Sequence, residues 1–313
     1  TFERSEELLH QLAKDPAGTP HHYSRLGNPT VATAERKIAE MHGTEDCRLV
    51  GCGMAAITTT IMAHVRAGSH VDTVYPPVRA LLDYLAKFGV TATYVSGESV
   101  DELFDALRPE TSLVFLEAPS SFVFRMQDVP KIAAECRARG IATAIDNTYN
   151  TPLHFRPASV GVDVVCESAT KYLGGHSDLT AGAICGSRET LERIVRTEIN
   201  LLGNILHPHP AWLLLRGLRT LPLRLKRHEA TANAVANWLE ARPEVARVHH
   251  VGLDSHPQRA LVRETLDGTG GIFSFELTDG SRESTLAFVD RLTLFGRGIS
   301  WGGHESLAVP LLT

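Results

Sequence analysis

The sequence predicts an α/β protein built on a mostly parallel sheet. Three observations carry that reading. Seven short apolar runs recur through the first two thirds of the chain. Helical patterns separate them. Apolar residues make up 43% of the 313 residues, against 21% charged, enough to bury a large core. Apolar strands alternating with helices belong to parallel sheets covered on both faces.

In chain order the strand-like runs are Cys47–Val50, His70–Tyr75, Thr91–Val95, Ser112–Pro119, Ile141–Asn147, Val162–Ala169 and Ala181–Gly186. Helical stretches fall at Met54–Val65, Val78–Phe88 and Val129–Arg139. In the third, Pro130 suits a first helical turn and Gly140 a stop. After Gly186 the pattern changes. Residues 187–241 are mostly helical, broken at Leu206–Pro210. Then come RVHHV, Gly270–Leu277, a helix near Glu283–Arg291, and LTLFG. Strands mixed with helices, without a strand–helix–strand rhythm, read as a smaller α+β domain. The boundary is expected near residue 217, inside a long connecting helix, which leaves 217–313 as the smaller C-terminal domain.

Composition excludes several classes. The 25 Gly and 16 Pro are ordinary for this length, so neither a collagen-like nor a disordered chain is expected. The net charge is −5 with no basic block, so no nucleic-acid partner is expected. No apolar run reaches the ~18 residues of a membrane span. The N-terminal TFERSEELLHQLAKD lacks an apolar signal core, which predicts a cytoplasmic protein. The five cysteines are odd in number and show no CxxC spacing, so reduced thiols are expected. The pairs His21–His22, His207/His209 and His249–His250 lack metal-ligand spacing. They read as loop or surface residues, and no metal is expected.

Ligands of parallel sheets bind beyond the carboxyl ends of the strands, so the residues following each strand matter most. Asp146 ends an apolar strand in AIDNT. It is either a turn residue or a fixed charge facing a ligand cation. Lys171 follows a strand in SATKYLGGHSD. It is either a solvated lysine or an amine able to lose its proton and act as nucleophile or base. Ser168 and Thr170 set two hydroxyls beside it, and Gly174 and Gly175 permit close backbone approach. GCGMAA begins a helix after the first strand. It is either a packed turn or a phosphate site using the Gly53 and Met54 amides. Taken together these groups are the protein's side of pyridoxal 5′-phosphate (PLP) chemistry: a lysine for the aldehyde, a carboxylate for the ring nitrogen, a cradle for the phosphate. A nucleotide-binding reading fares worse, because GCGMAA lacks the third glycine of a dinucleotide fingerprint.

At these residues the sequence resembles the Cys/Met-metabolism PLP enzymes, which include cystathionine β-lyases, γ-synthases and γ-lyases and methionine γ-lyases. The matching segments are YSRLGNPT, GCGMAA, FLEAPSS, AIDNTY, SATKYLGGHSD, RGLRTL and SWGGHESL, nearly end to end. TVYPP and the Trp of SWGGHESL resemble the bacterial cystathionine β-lyases most. The resemblance implies a PLP-dependent transferase-like fold (fold type I), with 35–216 as the PLP-binding domain and 1–34 as an arm reaching a neighbouring subunit. It implies that Lys171 is the Schiff-base lysine, that Asp146 faces the ring nitrogen, and that Tyr75 stacks on the ring. Gly53, Met54, Ser168 and Thr170 match the phosphate cradle. Tyr23 and Arg25 match a pair given to the phosphate of the next subunit, which implies a homodimer with shared sites, assembled into a homotetramer. Ser300 and Trp301 fall on the substrate side. The family continues past SWGGHESL and supplies an arginine for the substrate α-carboxylate. No motif here matches it, so either the sequence is the retained part of a longer chain or amino acids are recognised differently.

The implied reaction is β-elimination from cystathionine or a related sulfur amino acid, giving thiol, pyruvate and ammonia. γ-Chemistry within the same family, or a biosynthetic reaction on another amino acid, is the alternative. A PLP-binding protein without catalysis is the reading from a different class.

Overall fold

A computed structural model of the chain describes residues 3–13, 23–73, 78–97 and 99–311. All seven apolar runs form strands of one sheet: β1 Asp46–Val50, β2 His70–Thr73, β3 Thr91–Tyr94, β4 Thr111–Glu117, β5 Ala142–Asp146, β6 Val164–Glu167 and β7 Gly182–Gly186. Their order across the sheet is β1-β7-β6-β5-β4-β2-β3. β7 is antiparallel to both neighbours, and the other pairings are parallel. β1 to β6 therefore run one way, and their carboxyl ends share one edge.

Both faces are covered, which is why the strands read as unbroken apolar runs. Along β4, Val114 and Leu116 pack with Ile38 and Ile132 on one face, whereas Leu113 and Phe115 pack with Ile57 and Ile61 on the other. All eight are at most 3% exposed. Each such side chain contributes about 1.5–3 kcal/mol by leaving water. The covering helices are capped as their sequences require. Asn28 accepts a bond from Thr30 N at the start of Pro29–His42, and Gly43 ends that helix at φ 68°, a left-handed position that suits glycine. Asp128 caps Val129–Ala138 by accepting from Lys131 N.

Beyond β7 four expectations change. The long connecting helix is two helices, Pro208–Leu218 and Leu221–Glu240. Pro222 cannot continue a preceding helix, so a new one begins there. RVHHV is a strand only as far as His249: β8 Val245–His249 pairs antiparallel with β9 Ser274–Leu277. His249 and His250 are buried, not surface, histidines. LTLFG is not a strand. Arg297 donates to the carbonyls of Asp290 and Leu292, which folds the segment back onto the end of helix Arg282–Arg291. Only Gly296–Arg297 (β10) pairs, in parallel, with Leu307–Ala308 (β11). No described helix is long and apolar enough to cross a membrane.

Candidate active site

The predicted chemical groups come from strands whose carboxyl ends share the sheet edge. β6 runs straight into the lysine loop, a tight turn in which Lys171 N donates to Ser168 O at 3.0 Å and Gly174 N to Ala169 O at 2.8 Å. The Lys171 amine donates to Ser300 Oγ at 2.9 Å. It also lies 4.5 Å from the centroid of the Trp301 ring. Ser300 and Trp301 thus lie beside the lysine. Gly302 makes this approach possible. Its φ is 78°, and a Cβ there would stand 2.6 Å from Tyr172 N and 2.8 Å from Lys171 C. Burial pushes the Lys171 amine below its ordinary proton affinity, and the charge of Asp146 pulls it part of the way back.

Asp146 closes β5 and is 7% exposed. Its Oδ1 accepts from Thr148 N at 2.9 Å and from Thr148 Oγ1 at 2.5 Å, so its role in the turn is real. Thr148 Oγ1 in turn accepts from Ser168 N at 2.7 Å. A relay of two bonds therefore ties the carboxylate to the loop that carries the lysine.

β1 leads into helix Gly53–His64. Cys52 caps it, with Sγ accepting from Ala55 N at 3.4 Å. Gly53 and Met54 occupy the first turn, whose amides have no intrahelical acceptor. A Cβ at Gly53 would lie 2.6 Å from Ser168 Cβ, so this helix start and Ser168 form one close-walled corner. Thr170 is placed differently from the sequence reading. Its hydroxyl donates to Ala181 O at 3.2 Å and accepts from Ala181 N at 3.1 Å, which pins the loop to the residue before β7. Gly174 and Gly175 approach protein. A Cβ at Gly175 would meet Arg224 Nη1 at 2.0 Å, and one at Gly217 would meet Gly174 O at 2.3 Å. Arg224 donates to Tyr172 O at 2.8 Å. Asp178 pairs with Arg216 at 2.6 Å, and Ser177 donates to Glu305 Oε2 at 2.6 Å.

Two predicted residues are placed by other contacts. Arg25 donates to Asn200 O at 3.1 Å and sits 5.3 Å from the Tyr23 ring centroid, and Tyr23 is 56% exposed. Tyr75 lies outside the described residues. The sequence reading missed Glu117, which ends β4 opposite Asp146, and Thr148. The signal for both was their position just at or past the end of an apolar run.

A lysine amine of lowered proton affinity, a clamped carboxylate and a helix start walled by Ser168 are what PLP asks of a protein. The Cys/Met metabolism PLP-dependent enzyme family model matches residues 1–311. The chain belongs to that family. It is 42% identical over 298 residues to a putative cystathionine β-lyase of Rhizobium johnstonii, covering 92% of this chain and 74% of the relative. It is 37% identical to a chloroplastic cystathionine γ-synthase of Arabidopsis thaliana, covering 98% of this chain. The chain spans 54% of that relative's length. A crystal structure of cystathionine γ-synthase from Xanthomonas oryzae pv. oryzae, in complex with aminoacrylate and cysteine, superimposes with a TM-score of 0.88 at 34% identity, covering 92% of this chain and 75% of that one. The family's cofactor is PLP, and the fold is the fold type I architecture of its members.

Proposed function

We propose that this chain carries the site of a carbon–sulfur β-lyase that converts cystathionine or a related sulfur amino acid, with water, to thiol, pyruvate and ammonia. The observation that supports it is the Lys171 amine held against Ser300 and Trp301, on a loop that the Asp146–Thr148–Ser168 relay ties to the carboxylate. In this reading Lys171 holds the cofactor's aldehyde and Asp146 its ring nitrogen. The Gly53 and Met54 amides and Ser168 hold its phosphate, with Thr170 bracing the loop. Tyr75 lies on the ring, and Tyr23 and Arg25 serve a neighbouring copy in a homodimer, two of which form a homotetramer. Residues 35–216 form the cofactor domain and 217–313 the smaller one.

PLP supplies an electron sink for a carbanion at the substrate Cα. The rest falls to the chain. Once the substrate's own amine has replaced Lys171 at the aldehyde, burial leaves more of the freed lysine amine neutral than on an exposed lysine, so it can take the Cα proton. Ser300 holds that amine in place. Asp146, clamped by Thr148, holds a proton at the ring nitrogen. Trp301 walls the substrate side. Lys171, then protonated, returns a proton to the thiolate leaving Cβ.

The test is incubation of the PLP-loaded protein with L-cystathionine. Homocysteine and pyruvate are expected. Cysteine and 2-oxobutyrate would instead mark γ-elimination. That second reading is supported by a 38% identical methionine γ-lyase of Pseudomonas putida and by solved γ-synthase and γ-lyase neighbours.

A further inference from the structure

Three adjacent parallel strands end in carboxylates: Glu117 on β4, Asp146 on β5 and Glu167 on β6. Their surroundings differ. Cys166, not Glu167, is the register partner of Asp146, so Glu167 points to the other face. There it meets His42 Nε2 at 3.1 Å and Asn147 Nδ2 at 3.3 Å. Glu117 is the register partner of Asp146 on its other side, so these two side chains stand on one face. Each carboxylate has its own clamp. Ser121 N and Oγ donate to Glu117 at 2.6 and 2.7 Å, as Thr148 N and Oγ1 donate to Asp146. Among the described residues no Lys, Arg or His lies within ion-pair distance of Glu117, unlike Glu167 with His42.

Two neighbouring carboxylates in a low-dielectric site do not both ionise without cost, so one keeps its proton above the ordinary carboxyl range. Among the described residues, the charged groups around Glu117 include Asp146 from β5 and, beyond it, Lys171 from the loop after β6. β2, on the other side of β4, ends on the uncharged Thr73. Burial, then the charge of Asp146, holds the proton on Glu117 well above the usual carboxyl range, and the two Ser121 donors oppose this.

We propose that Glu117 is a positioning residue that acts through Asp146: neutral, it leaves Asp146 as the ionised carboxylate of the pair, and once ionised it draws the proton shared with the cofactor ring toward Asp146. This rests on the reading in which Asp146 faces the ring nitrogen. Asp146 is the register partner of Glu117, so a new negative charge at Glu117 acts directly on that carboxyl and favours a proton there. The electron sink then weakens as pH rises through the ionisation of Glu117.

The experiment is a pH titration of the visible absorbance of the PLP-loaded protein, with kcat measured alongside. It compares wild type, Glu117→Gln and Ser121→Ala. Glu117→Gln keeps shape and acceptor and cannot ionise. It is expected to remove the transition that follows Glu117 ionisation or move it up by about one pH unit or more. Ser121→Ala removes a donor that favours ionised Glu117, so the transition is expected to move up while remaining present. Superimposable curves for wild type and Glu117→Gln overturn the proposal and leave the PLP reading standing. If Glu117→Gln does not fold, an unmoved or lowered transition in Ser121→Ala overturns it. A wild-type protein that takes up no PLP overturns the underlying reading and this proposal with it.

Discussion

The Lys171 amine and the Ser300 hydroxyl are joined at 2.9 Å across 129 residues of chain. One partner is placed by the end of β6, the other by the segment that Gly302 lays on the Lys171–Tyr172 peptide. The site is therefore assembled from the large sheet and from the chain that follows the two long helices. Neither part holds the amine by itself.

Lys171→Ala is expected to fold as wild type and to lose turnover by about a thousandfold or more, because the attachment point and the base go together. Steady-state assay and a thermal melt check this. Wild-type turnover by the variant would remove Lys171 from the chemistry.

Thr148→Val strips the relay. Ser168 N loses its acceptor and Asp146 its hydroxyl donor, and leaving buried polar groups without partners costs about 1–3 kcal/mol. A lower Tm and faster loss of PLP on dialysis are expected, with Thr148→Ser restoring both. If the valine variant melts and retains PLP as wild type does, the relay carries no weight.

The sheet and the lysine-bearing loop were legible because apolar runs and the residues just past them are set by local chemistry. Asp146 and Lys171 stand where a charge at a strand end demands a reason. What escaped was set by tertiary contact. Thr170 reads as a cradle hydroxyl, and only the structure shows that it also bonds the Ala181 backbone in both directions. Gly175 looks like a ligand-approach glycine until Arg224 fills the space. Glu117 reads as the polar end of a strand, and only the β4–β5 register sets it beside Asp146.

Gly53→Ala sets a methyl 2.6 Å from Ser168 Cβ. Such overpacking forces a shift and costs typically about 1–3 kcal/mol. The expected result is weaker PLP binding together with a lower Tm. Because Ser168 supplies the clash, Ser168→Gly added to Gly53→Ala is expected to recover stability more than PLP affinity, since the hydroxyl is gone. Calorimetric titration of PLP into the two variants separates these effects.

Two buried groups shape stability against pH with opposite signs. Asp72 on β2 is fully buried, and burial raises its pKa from 3.8 to about 7. The folded state then binds this proton more tightly than the unfolded chain. Its contribution is full below the unfolded value and is lost as pH rises toward about 7. Asp72→Asn removes that slope, so between about pH 4 and about pH 8 the variant is expected to gain on wild type by up to about 4 kcal/mol. His250 is fully buried, and burial, then His256 and Arg259, lowers its pKa from 6.5 to about 4. Here the unfolded chain binds the proton more tightly, so stability falls as pH drops from about 6.5 toward about 4. Urea unfolding across that range is expected to show His250→Gln losing less stability on acidification than wild type. Parallel acid limbs for the two proteins would mean that His250 does not carry this dependence.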